Sequence, residues 1–248
     1  MPAPSCWRGE FGKATSEYTS LTDPYEAMSL RVAEAVAGQL RAKPDSCLGL
    51  PTGRTPLGCY QVLAQWSRLG SLDWRSATCF ALDEYINVAD EMSFAHYLET
   101  NIFRYTNLPA DRQFTPLAVD DYESLIRRAG GLDLILVGIG HNGHIAFNEP
   151  GTPKLSWTHC TWLTESTRQA NAALFGSEDR VPTMAVTMGV QTILTARRVL
   201  LIASGQQKHG ILQRALADGV NSDVPASFLQ EHPHLEVFTD FDFDRNSR

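Results

Sequence analysis

The chain has no lysine- or arginine-rich cluster. Its 21 Lys and Arg residues are outnumbered by 28 Asp and Glu, for a formal net charge of −7 at pH 7. A nucleic-acid backbone is bound through a local concentration of cations, so no polynucleotide partner is expected. A small anion needs only a few local cations, which an acidic chain can still supply. Long apolar runs are missing too, and no membrane-spanning segment is expected. Residues 1–11 carry Arg8 and Glu10 where a secretory leader would hold its apolar segment. Cysteine is sparse: Cys6, Cys47, Cys59, Cys79 and Cys160 are odd in number, scattered and without a Cys-x-x-Cys pair. They read as reduced thiols, and a cytoplasmic location is expected. No repeat, low-complexity tract or linker divides the 248 residues, so one domain over 1–248 is expected, with 1–20 and 240–248 as loose termini.

What is present is an alternation of short apolar runs with amphipathic stretches. Asp23-Pro24-Tyr25-Glu26 combines a capping aspartate, a proline at the first helical position and an acid in the first turn. Met28, Val32, Val36 and Leu40 then share one face. Buried strands are expected at 47–50, 77–82, 133–137, 184–188 and 199–203, with 224–229 and 235–239 completing the pattern. Helices are expected at 57–69, 92–105, 120–129 and 190–194, and a further strand near 16–19. Strands alternating with helices predict a single-domain α/β fold, a mostly parallel sheet covered by helices on both faces.

Four strand ends carry the chemistry. The strand at 133–137 opens into Gly-Ile-Gly-His-Asn-Gly-His-Ile-Ala-Phe-Asn-Glu-Pro-Gly, where Gly138, Gly140 and Gly143 permit positive φ or close approach. His141, Asn142, His144, Asn148 and Glu149 crowd polar groups into the same loop, in which a histidine, an amide and a carboxylate make up an acid/base with orienting partners. A metal is disfavoured, because glycine separates His141 from His144 and only Glu149 stands at ligand spacing. Pro51-Thr52-Gly53-Arg54-Thr55-Pro56 links a strand to a helix start, the arrangement that binds anions, although an unliganded β-turn has the same sequence signature. Asp83 and Glu84 follow a third strand and point apart in extended chain, so at most one faces a site directly. Lys208 sits where a fourth strand end opens into a helix. Residues 150–176 are polar and interrupted, with Trp157 and Trp162 reading as exposed, and are expected to form a lid or an ordinary connection.

The loop at 138–151 resembles the signature of the glucosamine-6-phosphate deaminases. Leu-Pro-Thr-Gly-Arg-Thr-Pro at 50–56, Leu-Asp-Glu-Tyr at 82–85, Thr-Arg-Gln-Ala-Asn at 167–171 and Gln-Lys at 207–208 resemble further motifs of that family, in its order. The resemblance spans about residues 25–238 and implies a Rossmann-like sheet and an amino-sugar phosphate substrate, with no metal or organic cofactor. It further implies Asp83 as the proton-transfer base and His144 as the group that opens the sugar ring, oriented by Asn142 and Glu149. Thr52, Gly53, Thr55, Gly138, Arg168 and Lys208 are implied as substrate contacts, the last two to phosphate.

Two positions depart from the family pattern. Asn142 stands where many members have aspartate, which removes a fixed charge beside His144 unless Glu149 supplies it. Arg54 stands where many have glycine. Related readings are a deaminase for the C4 epimer galactosamine 6-phosphate, a 6-phosphogluconolactonase and a non-catalytic sugar-phosphate sensor. Ester hydrolysis has no use for a base at C2, and a sensor would normally carry a DNA-binding domain and could lose its acids, so Asp83 with the complete 144–149 loop favours the deaminase. Basic residues for an inter-subunit effector are lacking: Lys154 is the one firm cation shortly after Glu149, so a monomer or small homo-oligomer is expected.

Overall fold

The computed structural model describes residues 23–118 and 121–243. The strand expected near 16–19 and Cys6 lie outside the described residues. Helix α1 (Pro24–Ala42) starts as its sequence predicts, with the Asp23 carboxylate accepting from Tyr25 N at 2.9 Å. It leads into β1 (Cys47–Leu50), α2 (Leu57–Arg68), β2 (Thr78–Ala81) and β3 (Asp83–Tyr85). Then follow α3 (Phe94–Asn101), β4 (Gln113–Phe114), α4 (Tyr122–Arg128), β5 (Leu134–Gly138), β6 (His159–Trp162) and α5 (Glu165–Phe175). The chain ends through β7 (Met184–Thr187), α6 (Val190–Leu194), β8 (Val199–Ala203), α7 (His209–Leu216) and β9 (Leu235–Thr239).

Six strands form one parallel sheet in the order β4-β2-β1-β5-β8-β9. The chain winds outward from β1 through β2 to β4, then returns to the other side of β1 with β5. That reversal leaves a crevice beyond the carboxyl ends of β1 and β5, where ligands of open α/β sheets bind. Alternation along β5 divides the core: Leu134 and Leu136 pack with Met28, Val36 and Leu63 from α1 and α2. Ile135 and Val137 pack with Ile126, Ile193 and Leu212 from α4, α6 and α7 on the opposite face. Both faces are therefore covered, as a parallel sheet requires. Gly49 allows the β1–β5 approach, since a Cβ there would sit 2.5 Å from Ile135 Cγ1. At the amino end of β5, buried Asp133 accepts from Lys43 Nζ at 2.9 Å, Cys47 N at 2.8 Å and Arg197 Nη1 at 2.8 Å.

Several elements differ from expectation. The 92–105 segment is not one helix: Ser93 caps α3 by accepting from His96 N, and Ile102 at φ −141° breaks it before a 3-10 turn at Phe103–Tyr105. Serine competes for backbone N–H groups and starts helices more readily than it continues them. Of the last two elements, Leu235–Thr239 is a strand, whereas Pro225–Glu231 is a 3-10 helix headed by a proline that has no N–H for a ladder. The apolar run at 184–188 does not join the parallel sheet. As β7 it pairs antiparallel with both β3 and β6 in a second, three-stranded sheet of order β3-β7-β6. Residues 150–176 are accordingly built structure: β6 holds one edge of that sheet, and α5 is capped by Thr164 and closed by left-handed Gly176. Trp157 and Trp162 are exposed, as their surroundings suggest. Among the described residues no helix is long and apolar enough to cross a membrane.

Candidate active site

A cleft of about 490 Å³ opens at the strand reversal, lined from the ends of β1, β2, β5 and β8 and roofed by α5. Its β1 side is the 51–56 loop, where Gly53 takes φ +101°, a conformation that side chains disfavour. Two tyrosines hold this loop from behind. Tyr97 donates to the Gly53 carbonyl, and the Tyr25 hydroxyl lies 3.1 and 3.2 Å from the carbonyls of Arg54 and Thr55 while accepting from Gly58 N. In a trans peptide the N–H points opposite the carbonyl, so pinning the Gly53 and Arg54 carbonyls turns the amides of Arg54 and Thr55 the other way. No acceptor among the described residues takes up the Gly53, Arg54 or Thr55 N–H. Unpaired amides just ahead of α2 suit an anion.

The next wall is Asp83, which is 7% exposed yet borders the cleft. Burial raises its pKa from 3.8 to about 8, with the neighbouring Glu84 charge adding to the shift. Glu84 points away and is occupied: its two oxygens accept from the backbone N–H groups of Tyr85, Phe94 and Ala95 at 3.0, 2.8 and 2.9 Å, which ties β3 to the start of α3. Only one of the adjacent acids therefore faces the cleft, as extended geometry requires.

The loop after β5 is folded on itself. Gly140 N donates to His144 O at 2.9 Å and Gly143 N to Gly140 O at 3.1 Å, with Gly143 at φ +88°. The His144 ring lies over Gly140, where a Cβ would come within 2.4 Å of both ring nitrogens. His144 Nδ1 is 3.6 Å from Glu149 Oε2 and 3.3 Å from Thr167 Oγ1. The Asn142 amide donates to Glu149 Oε2 at 2.8 Å, and its carbonyl accepts from His144 N at 3.2 Å. Burial opposes charge on Glu149, but hydrogen bonds and attraction from His144, with further bonds from Thr167 and Asn142, outweigh it and lower the pKa to about 2. A fixed negative charge thus stands behind His144 with asparagine at 142. An aspartate there could not donate to Glu149 and would face it with like charge. Asn148 is structural: fully buried, it ties the carbonyls of Ile145 and Met188 together at 2.9 and 2.8 Å.

The structure thus gathers Thr52, Gly53, Thr55, Asp83, Gly138, Asn142, His144 and Lys208 around one cleft, with Glu149 behind the histidine. Lys208 donates to the Ile139 carbonyl at 2.8 Å, and burial lowers its pKa to about 8. Gly138 leaves open space, since a Cβ added there meets nothing within 4 Å. Arg168 is not brought in: it does not line the cleft, its Nη2 donates to the Glu178 carbonyl at 3.0 Å, and its Nε is buried without a partner. The α5 residues that do line the cleft include Thr167, Ala170, Asn171 and Leu174, the i, i+3, i+4, i+7 stripe of one helical face. Arg168, one position on from Thr167, faces elsewhere; helical phase is the signal that could have found Thr167 from sequence. Tyr25 and Tyr97 had no local signal, because they act across 29 and 44 residues of chain. His141 is exposed whereas His144 is tucked in, and no group of three metal-binding side chains occurs among the described residues.

A buried carboxylate and an oriented imidazole, sharing a cleft beyond the ends of parallel strands, are the equipment of an α/β acid–base enzyme. The family model for glucosamine-6-phosphate isomerases/6-phosphogluconolactonase matches residues 21–238, and the chain belongs to that family. Proteins named glucosamine-6-phosphate deaminase from Lachnoclostridium phytofermentans and Halothermothrix orenii are 42% and 44% identical to it. These matches cover 88% and 89% of this chain and 97% and 95% of those proteins. A solved monomeric glucosamine-6-phosphate deaminase superposes with a TM-score of 0.83 at 40% identity, over 87% of this chain and 93% of that one. The 6-phosphogluconolactonase of Thermotoga maritima shares the fold at a TM-score of 0.67 and 24% identity, over 88% of this chain and 96% of that one.

Proposed function

We propose that the protein converts glucosamine 6-phosphate and water to fructose 6-phosphate and ammonia. The observation that carries this reading is one cleft shared by a buried carboxylate, Asp83, and an imidazole, His144, backed by Glu149. His144 takes the proton of the anomeric hydroxyl and returns it to the ring oxygen, breaking the C1–O5 bond and releasing the open-chain aldehyde. Glu149 and Asn142 orient the ring for this transfer. Asp83 then removes the proton on C2, and the electron pair forms the C1–C2 double bond of an enolamine as the C1 oxygen gains a proton. Returning the proton to C1 lets the amino lone pair complete a C2–N double bond. Water adds at C2 and ammonia leaves, giving the ketone. The amino group itself carries the electrons, so the sequence of steps calls on no cofactor. Phosphate is received by the Thr52–Thr55 loop and Lys208.

Relatives named deaminase, at 42% and 44% identity, support the same activity, and ester hydrolysis would leave a C2 base idle. Ammonia release by the purified protein tests the reading. Glucosamine 6-phosphate is expected to be turned over in preference to galactosamine 6-phosphate, with no hydrolysis of 6-phosphogluconolactone; lactone hydrolysis without ammonia release would overturn it. The same reading takes the protein as a cytoplasmic monomer or small homo-oligomer. Lys154, the cation near the effector segment, is already paired with Glu231, so hyperbolic substrate dependence without activation by N-acetylglucosamine 6-phosphate is expected.

A further inference from the structure

Taking a proton from the carbon beside a carbonyl moves charge onto oxygen. When Asp83 removes the C2 proton, the C–H electron pair forms the C1–C2 double bond and the carbonyl pair shifts to the C1 oxygen. A donor fixed against that oxygen stabilises the charge where it appears. The roles given to Asp83 and His144 leave the C1 oxygen without one.

The backbone just after His144 is constrained. Ala146 takes φ +49°, one of two non-glycine residues with positive φ among the described residues. Side chains disfavour this conformation, and it persists only where the surroundings enforce it. Here the enforcing group is fully buried Asn148, whose backbone N and Nδ2 both donate to the Ile145 carbonyl, at 3.0 and 2.9 Å. In a trans peptide the N–H lies opposite the carbonyl. Drawing the Ile145 carbonyl inward therefore turns the Ala146 N–H outward, and Ala146 lines the cleft. No acceptor among the described residues takes up this N–H.

The same loop is tied to the strand that carries the base. Phe147 N donates to Thr187 Oγ1 at 3.0 Å, and Asn148 Nδ2 also donates to the Met188 carbonyl at 2.8 Å. Thr187 pairs with Asp83 between β7 and β3, and Met188 N donates to the Leu82 carbonyl at 2.7 Å. One hydrogen-bonded frame thus holds both the Ala146 amide and the Asp83 carboxylate at the cleft wall.

We infer that the Ala146 N–H is the donor that receives the C1 oxygen as Asp83 removes the C2 proton, with Asn148 as the residue that positions it. This rests on the proposed deaminase reading and adds a backbone group to its machinery. No bond to the protein forms: the proton passes from C2 to Asp83, and the charge left on the C1 oxygen stays hydrogen-bonded to the amide until a proton reaches it.

The test compares two ligands that differ only at C1. In 2-amino-2-deoxygluconate 6-phosphate that carbon bears a planar, negatively charged carboxylate, and in 2-amino-2-deoxyglucitol 6-phosphate a neutral alcohol. In wild type carrying isotope-labelled alanine, the Ala146 amide resonance is assigned by its absence from Ala146→Gly. It should move downfield with the gluconate and much less with the glucitol. Ala146→Val places a β-branched side chain at positive φ and should displace the amide. Its kcat should fall about 10- to 100-fold with KM within about threefold, and it should bind the gluconate more weakly by a similar factor while holding the glucitol as before. Asn148→Ser loses the double hold on the Ile145 carbonyl and should show the same split. The wild-type resonance decides the matter should either variant fail to fold. An Ala146 resonance unmoved by the gluconate, or moved equally by both ligands, would overturn the inference, as would a folded Ala146→Val that keeps or loses both ligands alike. Ammonia release by a protein whose Ala146 amide does not respond would refute this inference alone. An amide that responds to the gluconate in a protein that releases no ammonia would refute the deaminase reading alone.

Discussion

Replacing Asp83 by asparagine separates two consequences of burying a carboxylate beside a cleft. The side chain is 7% exposed, and its folded pKa is about 8 against 3.8 for the free group. Between these values the folded protein holds a proton that the unfolded chain has released. Stability therefore falls as pH rises through this window, by about 1.4 kcal/mol per unit for one proton. From pH 5 to pH 7.5 the full effect would be about 3 kcal/mol; water reaching the carboxylate from the cleft reduces it, to roughly 1–3 kcal/mol. The amide of Asp83→Asn does not titrate, so the variant's advantage over wild type should grow by that amount across the interval, while fixed costs of the substitution cancel in the comparison. In melting temperature each kcal/mol is about 2–4 °C for a chain of this size. Urea unfolding of both proteins at several pH values measures it. Activity should move the opposite way: without the base, kcat should fall by about 10²–10⁴-fold, and deuterium from solvent should no longer enter C2. Stability curves that stay parallel from pH 5 to 7.5 would refute the buried-charge account, and near-normal C2 exchange in Asp83→Asn would refute the base assignment.

A second expectation is a narrow pH optimum near 8: activity rises as Asp83, with a pKa of about 8, loses its proton and falls as Lys208, also near 8, loses its own. A pH–rate profile flat from 6 to 10 would contradict both. Thr167→Val keeps the shape of α5 but removes the hydroxyl 3.3 Å from His144 Nδ1. It should lower kcat by about 3- to 30-fold with little change in KM, whereas a purely structural role would alter only thermal stability. Asp133→Ala removes the acceptor shared by Lys43, Cys47 N and Arg197 and should cost about 2–3 kcal/mol in urea unfolding, with the kinetic constants of the remaining folded protein unchanged.

Much of this protein is written locally. The start of α1 follows from Asp23 and Pro24, β1 and β5 from short apolar runs ended by glycine or proline, and the crowded 138–149 loop from glycines that only a turn accommodates. The motif that places Asn142, His144 and Glu149 together is local too, since seven residues of folded loop bring Asn142 onto Glu149. What sequence could not decide involves distant partners. The run at 184–188 reads as another parallel strand, yet it pairs antiparallel with β3 and β6, because pairing depends on which edges meet and not on the run itself. Arg168 sits in a motif that suggests a ligand contact, but a one-residue step around α5 turns it toward Glu178 and gives the cleft to Thr167. The raised pKa of Asp83 and the lowered pKa of Glu149 likewise belong to the assembled site. Two carboxylates that are alike in sequence separate by several pH units once one is buried beside another acid and the other is bound by His144, Thr167 and Asn142. Chain-local sterics and hydrogen bonding determined the elements and the loop; desolvation and contacts across the sheet decided which side chains face the cleft and which protons they hold.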